Sequence, residues 1–117
     1  MQGVPDLGPH DMVWLHEGLR DYIGLWQVVR AYQDDELSGE QLQAEVLATV
    51  RRLVSNGYFV LVDLESGGGS TAWSEDLSSA LERIAREWNE RGTPPNIPHM
   101  PWMKLTTEGR AVATAGR

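Results

Sequence analysis

The chain has 117 residues, the length of one domain, and its hydrophobic content of 41% is enough for a core and excludes overall disorder. It contains no cysteine, which excludes disulfides, thiolate metal ligands and thiol nucleophiles. No apolar run approaches the ~18 residues of a transmembrane helix, and the first residues lack the basic and apolar regions of a secretory signal. We therefore expect a cytoplasmic protein with no membrane partner. We expect a single domain over residues 1–117, with an N-terminal arm over 1–10 and a frayed tail over 114–117.

The charge of the chain is unevenly distributed. The net charge is −7, and the excess lies in residues 1–50, which carry nine acidic and two basic side chains. Nucleic-acid-binding proteins usually present a basic face. An acidic half suits a basic protein partner, or serves solubility alone. The charge therefore disfavours nucleic acid as a partner without excluding it.

The first predicted element is a helix over Asp11–Gln33. Apolar side chains recur at three- and four-residue steps and would share one face, namely Leu15, Leu19, Tyr22, Ile23, Trp26 and Val29. Gly18 and Gly24 would each weaken this helix by about 1 kcal/mol relative to alanine. Either glycine can mark a close approach to another element.

The second predicted helix spans Gly39–Asn56. Ser38 and Gln41 have the spacing of a capping box at its start. An apolar stripe runs along its length, through Leu42, Val46, Leu47, Val50, Leu53 and Val54. Asn56 and Gly57 then predict a left-handed C-terminal cap. The strand Tyr58–Leu64 follows, and its apolar residues on both faces indicate that it is covered.

The loop Ser66–Ser70 contains three consecutive glycines and predicts a flexible turn. It lacks the lysine and the following helix of a phosphate-binding loop. We predict a third helix over Glu75–Arg91, with Ser74 as its N-terminal cap. Acidic residues begin this helix and basic residues come later, an arrangement that the helix dipole stabilises.

A connector rich in proline follows over residues 92–98. The segment His99–Leu105 predicts an edge strand, because Pro101 cannot donate a hydrogen bond to a neighbouring strand. A short helix is predicted over about Thr107–Ala113.

The segments Leu37–Leu64 and Trp102–Ala113 together resemble bacterial winged-helix domains, above all in the wing region. A capped helix runs into a β-branched and aromatic strand, and a later strand closes in Leu105-Thr106, two further residues and Gly109. The resemblance implies an α+β fold with three main helices packed on a small antiparallel β-hairpin. A helical insertion would separate the two strands, and a short C-terminal helix would follow. The tryptophan and connector pattern from Trp73 to Gly109 is also similar to small uncharacterised actinobacterial proteins, which implies no activity.

The sequence departs from the winged-helix pattern at one important place. A helix-turn-helix needs a break between its two helices, and no break is visible between Ser38 and Asn56. The early exposed positions of this helix include Glu40 and Glu45, which would repel phosphate. The resemblance therefore implies a scaffold and not automatically a DNA-binding surface.

No pattern indicates catalysis, a cofactor or a metal ion. His10 and His16 lie six positions apart, a spacing that does not place two ligands on one helical turn, and His99 is remote in sequence. The serines lie in loops and caps without the context of a nucleophile. We therefore expect a protein that is not an enzyme.

The sequence contains five tryptophans. Trp26 and Trp88 lie on the apolar helix faces and are predicted to belong to the core. Trp14, Trp73 and Trp102 lie near the ends of elements, where burial and exposure are both open. Exposed tryptophans could contribute to an interface or line a small-molecule pocket.

The leading functional hypothesis is a non-enzymatic protein-interaction module, either of the immunity or antitoxin type or a regulatory adaptor. Its expected interface combines one aromatic and five acidic side chains, namely Trp14, Asp21, Asp34, Asp35, Glu36 and Glu40. The alternative is a winged-helix transcriptional regulator that binds DNA, acting as a homodimer. Its contacts would be basic side chains, namely Arg51, Arg52, Lys104 and Arg110. A small-molecule pocket lined by tryptophans is a third hypothesis.

Overall fold

Helices and short strands alternate along the chain in a computed structural model that describes residues 7–95 and 101–115. In order, the elements are α1 (Asp11–Gly18), β1 (Ile23–Gly24), α2 (Leu25–Asp34), α3 (Gly39–Ser55), β2 (Phe59–Leu64), β3 (Ser70–Ala72), α4 (Leu77–Arg91), β4 (Trp102–Leu105) and α5 (Thr107–Ala115). The predicted α+β class is confirmed.

The four strands form one antiparallel sheet in the order β1-β4-β2-β3. The predicted pairing of the two main strands is confirmed, with Phe59 of β2 opposite Leu105 of β4. However, β4 is an interior strand and not an edge strand, because β1 pairs with its other side. Pro101 precedes the strand, and its carbonyl accepts a hydrogen bond from the backbone of Leu25 at 3.3 Å. His99, the predicted first residue of this strand, lies outside the described residues.

Helix α3 lies at the centre of the fold, between α2 and α4 and against β2. Within its apolar stripe, Leu42, Val46, Val50 and Leu53 are buried, and Leu47 and Val54 are half-buried. Phe59 and Met103 meet the helices from the sheet, and both are fully buried. The predicted boundaries of α3 are correct to one residue, since a single continuous helix spans Gly39–Ser55.

The predicted helix over Asp11–Gln33 is wrong, since α1 ends at Gly18 and the chain forms β1 before α2 begins. The close approaches expected at the two glycines are confirmed. A methyl group at Gly18 would lie 3.1 Å from the ring of Phe59, and one at Gly24 would lie 2.6 Å from the indole of Trp26. The apolar period alone could not reveal the break, because both halves bury the same kind of side chain.

Three smaller predictions need correction. Ser38 makes no side-chain hydrogen bond at the start of α3, so the predicted capping box is wrong. Helix α4 is capped by Asp76, whose Oδ1 accepts a hydrogen bond from the backbone of Ser79 at 2.8 Å, and not by Ser74. Helix α5 continues to Ala115, past the expected start of the frayed tail at residue 114. Strand β3, which the sequence did not predict, forms a hairpin with β2 around the glycine-rich turn.

Gly57 has the left-handed conformation that the sequence predicts after α3, with φ of 80°, and a methyl group added there would meet nothing within 4 Å. We expect Gly57→Ala to reduce the free energy of unfolding by about 1 kcal/mol, because the cost is purely conformational. Urea denaturation measures it. Gly67→Ala is the matched control, since Gly67 is equally open and not left-handed. An equal loss in both variants would contradict the explanation.

Candidate functional site

Helices α2 and α3 are joined by a turn of four residues, 35–38, the length typical of a helix-turn-helix. The backbone of Glu36 is left-handed, with φ of 70°. The amide of Leu37 donates to the carbonyl of Tyr32 at 3.1 Å and so ends α2. The turn therefore lies before α3 and not inside it. The sequence predicted the position of this turn, between the helices Asp11–Gln33 and Gly39–Asn56, but not that the two helices form a helix pair.

Four carboxylates are exposed at this turn, those of Asp34, Asp35, Glu36 and Glu40, and we call this group the acidic turn. They are four of the six residues predicted for a protein interface. Asp21 is exposed in the connection between α1 and β1, where its Oδ1 accepts a hydrogen bond from the backbone of Tyr22 at 2.7 Å. The expectation for Trp14 is corrected, since its side chain is 5% exposed and belongs to the core.

The acidic turn is tied to the start of α1 through His10. Its Nε2 lies 2.8 Å from Oδ2 of Asp35, an ion pair when the imidazole is protonated. The imidazole ring also packs edge-on against Tyr32, with 5.3 Å between ring centroids. Asp35 thus has a fixed position at the end of α2.

A buried ion pair between Asp11 and Arg52 lies beneath these contacts. The carboxylate of Asp11 is fully buried, and its Oδ2 and Oδ1 accept from Nε and Nη2 of Arg52 at 2.7 and 3.1 Å. The backbone of Gly8 also donates to Oδ2, at 2.6 Å. Hydrogen bonds to Asp11 hold the pKa of Arg52 above its usual range. Arg52 was predicted to contact nucleic acid, but its guanidinium donates hydrogen bonds to a carboxylate inside the protein.

Thr49 extends this polar network from α3 to α2. Its hydroxyl donates to the carbonyl of Glu45 at 2.9 Å, so it can only accept from Nη2 of Arg52 at 3.3 Å and from the hydroxyl of Tyr32 at 2.7 Å. Thr49 is fully buried. Polar side chains thus connect α1, α2 and α3.

The other three predicted nucleic-acid contacts are exposed and lie on three different elements. Arg51 is on α3, Lys104 is on β4 opposite Val60, and Arg110 is on α5. Only Arg51 belongs to the helix pair that a helix-turn-helix would present to DNA.

Trp73 joins the end of the β2–β3 hairpin to α4. Its Nε1 donates to Oδ1 of Asp63 at 2.9 Å, and the guanidinium of Arg83 lies 3.9 Å from the ring centroid. Arg83 also contacts Glu75 at 2.8 Å and Glu87 at 3.4 Å. The hydrogen bond to Arg83 lowers the pKa of Glu75, and the same bond raises the pKa of Arg83. These contacts hold the β2–β3 hairpin against α4.

Trp26 and Trp102 lie close together at Gly24, where an added methyl group would meet both rings. Trp88 is buried as predicted, whereas Trp26, predicted to be core, is half-buried at the edge of the core, as are Trp73 and Trp102. A groove of about 300 Å³ separates the start of α3 from the end of α4, and we call it the α3–α4 groove. Its lining includes Glu40, Leu42, Gln43, Trp88, Asn89 and Pro94. Trp73 lines a different groove, of about 160 Å³, beside the hairpin.

Comparison with protein-family models, curated proteins and solved structures finds no match to this chain. Within residues 7–95 and 101–115, no helix combines the length and apolar character needed to cross a membrane. In the same ranges, no three histidine or carboxylate side chains are grouped as a metal site would require. The candidate site consists of the acidic turn and the α3–α4 groove next to it.

We expect Asp11→Asn to reduce the free energy of unfolding by about 3 kcal/mol, because the partly buried guanidinium of Arg52 would lose its counter-charge. Urea denaturation measures the loss. Glu17→Gln, which removes a carboxylate from an exposed position of the same helix, is the control and should change little. If the two variants lose equal stability, the ion pair does not hold α1 on α3.

Proposed function

We propose that this protein is a non-enzymatic protein-interaction module that uses the acidic turn to bind a basic surface of its partner. The observation that carries the proposal is the exposure of four carboxylates at the turn between α2 and α3. A phosphate-binding surface needs basic side chains there. A basic protein would be attracted to the turn, with an association rate that falls as salt is added.

The scaffold in this proposal is winged-helix-like. Two features support it, namely the four-residue turn between α2 and α3 and the pairing of the strand after α3 with β4. The insertion that the sequence indicated between the paired strands contains β3 and α4. Because α4 packs on α3, one side of the helix that a DNA-binding relative would expose is covered here.

The backbone of Glu36 supports a binding role for the turn. A left-handed conformation at a residue other than glycine costs about 1 kcal/mol, and Glu36 has φ of 70° while its side chain is exposed. Glycine would adopt this conformation without that cost. A glutamate at this position therefore adds negative charge at the expense of stability, a combination common at functional sites.

The negative charges of the acidic turn also indicate the kind of partner, which is a protein with a basic surface. An immunity or antitoxin protein, or a regulatory adaptor, would use such a turn to cover a basic surface of another protein. A homodimer formed through the acidic turn is disfavoured, because two copies would place like charges opposite each other. A homodimer through another face is compatible with the proposal.

The alternative function, a DNA-binding regulator, is favoured by the helix pair itself. Its contacts would come from Arg51, Lys104 and Arg110, and a dimer would be needed to gather enough positive charge. Fluorescence anisotropy with labelled genomic fragments at ~50 mM salt tests it, since phosphate contacts are strongest at low salt. Binding that weakens steeply with added salt and with Arg51→Ala would replace the protein-interaction proposal.

We expect the double variant Asp34→Lys, Glu36→Lys to lose the partner that the wild-type protein captures from a lysate of its native host, because both substitutions reverse charge at the interface. Affinity purification followed by mass spectrometry identifies the partner, and titration of the purified pair measures the loss. The control is Glu82→Lys, Glu108→Lys, which makes the same change in charge at exposed positions of α4 and α5. Equal loss in both variants would show an effect of net charge alone, and capture by neither protein nor variant would refute the proposal.

We expect Glu36→Gly to act in opposite directions on stability and on binding. The free energy of unfolding should rise by about 0.5–1 kcal/mol, because glycine relieves the left-handed strain. Affinity for the captured partner should fall, because one interface charge is lost. Thermal unfolding measures the change in stability, and the same titration measures the change in affinity. Glu82→Gly is not a suitable control, because glycine within α4 would itself weaken that helix. Unchanged affinity would show that Glu36 lies outside the interface.

A further inference from the structure

The α3–α4 groove lies next to the acidic turn and shares Glu40 with it. The floor is apolar, since Leu42 and Trp88 line it and are 3% and 8% exposed. Its volume of about 300 Å³ is at the lower limit of small-molecule sites. The space suits one long side chain better than a cofactor.

The polar groups around the groove include a carboxylate and two side-chain amides, each of which can accept hydrogen bonds. Glu40 is exposed at one side. Gln43 spans the groove, because its Nε2 donates to Oδ1 of Asn89 at 3.0 Å. Its Oε1 atom is an acceptor that this bond does not use. The C-terminal end of α4, which carries partial negative charge, reaches the groove at Asn89 and Gly92.

We propose that the α3–α4 groove binds a single arginine side chain of the basic partner. The guanidinium lies between Glu40 and the C-terminal end of α4, and the methylene groups pack against Trp88 and Leu42. This inference rests on the proposed function and adds the residue type that the interface recognises.

Arginine fits this groove better than lysine for two physical reasons. The guanidinium is less strongly hydrated than an ammonium group, so it loses less hydration free energy on entering a groove with an apolar floor. Its several donors can also reach a carboxylate and an amide oxygen together.

The N-terminal end of α3 opposes a cation at the same groove, because it carries partial positive charge. Glu40 lies in the first turn of that helix, where its full negative charge outweighs the partial one. Without Glu40, the two helix ends would roughly cancel. Glu40 is therefore the residue on which binding depends.

The test is a titration of the isotope-labelled full-length protein with a tetra-arginine peptide, followed by nuclear magnetic resonance. We expect shifts in the side-chain amides of Gln43 and Asn89 and in the indole N–H of Trp88. Glu40→Gln should weaken the affinity by about fivefold, the size expected for one partly exposed ion pair. The matched control is Glu45→Gln, which removes the same charge from an exposed position of the same helix and should weaken it by less than about twofold. A tetra-lysine peptide should bind more weakly, and a tetra-citrulline peptide should cause no shifts.

Equal losses for Glu40→Gln and Glu45→Gln would overturn the inference in favour of diffuse attraction to an acidic protein. Shifts confined to residues 34–36, or no shifts at all, would also overturn it. None of these results would refute the proposed function, which depends on capture of a partner through Asp34 and Glu36. Conversely, the partner could still be captured after charge reversal at Asp34 and Glu36 while Glu40→Gln weakens binding of the peptide. That result would support arginine binding in the groove and refute the role of the acidic turn in capture of the partner.

Discussion

The buried ion pair between Asp11 and Arg52 constrains how α1 packs on α3. A carboxylate that is fully buried requires a fixed counter-charge and hydrogen bonds, and Arg52 and the backbone of Gly8 supply them. This requirement fixes the start of α1 against the second half of α3. Through Thr49 the same network reaches Tyr32 of α2, and His10 packs on Tyr32 while it contacts Asp35. The acidic turn is therefore linked to this network through Asp35 and His10.

Rigidity of this kind favours recognition by charge. Exposed carboxylates on a mobile loop would lose conformational freedom when a partner bound, and that loss would offset much of the attraction. Here the turn lies between two helices that are both packed in the core. In the proposed function, its charges would meet a basic surface with little rearrangement. The same polar network occupies Arg52, which leaves fewer basic groups on α3 for phosphate.

The strongest sequence signals predicted the central part of the fold. Helix α3, the strand after it and the left-handed Gly57 follow from a long apolar stripe, β-branched residues and an Asn-Gly pair, all of which act locally. The break between α1 and α2 did not follow from local signals, because Gly18 is required by contact with Phe59, a residue distant in sequence. The partnership of Asp11 with Arg52 was equally invisible, since side chains 41 positions apart reveal their pairing only in the folded protein. For the site, the acidic residues were identifiable from composition, whereas the burial of Trp14 and the groove beside Glu40 depend on how the helices pack.

The interior position of β4 has a consequence for synthesis of the protein on the ribosome. Ile23 of β1 pairs with Met103, so the strand that is made last joins β1 to the β2–β3 hairpin. The hairpin can form while the chain is still growing, because its pairing is local. The sheet cannot close until Trp102–Leu105 has left the exit tunnel, and closure of so long a loop is slow. Until then the unpaired edges of β1 and β2 are exposed, and such edges are prone to pair with other chains.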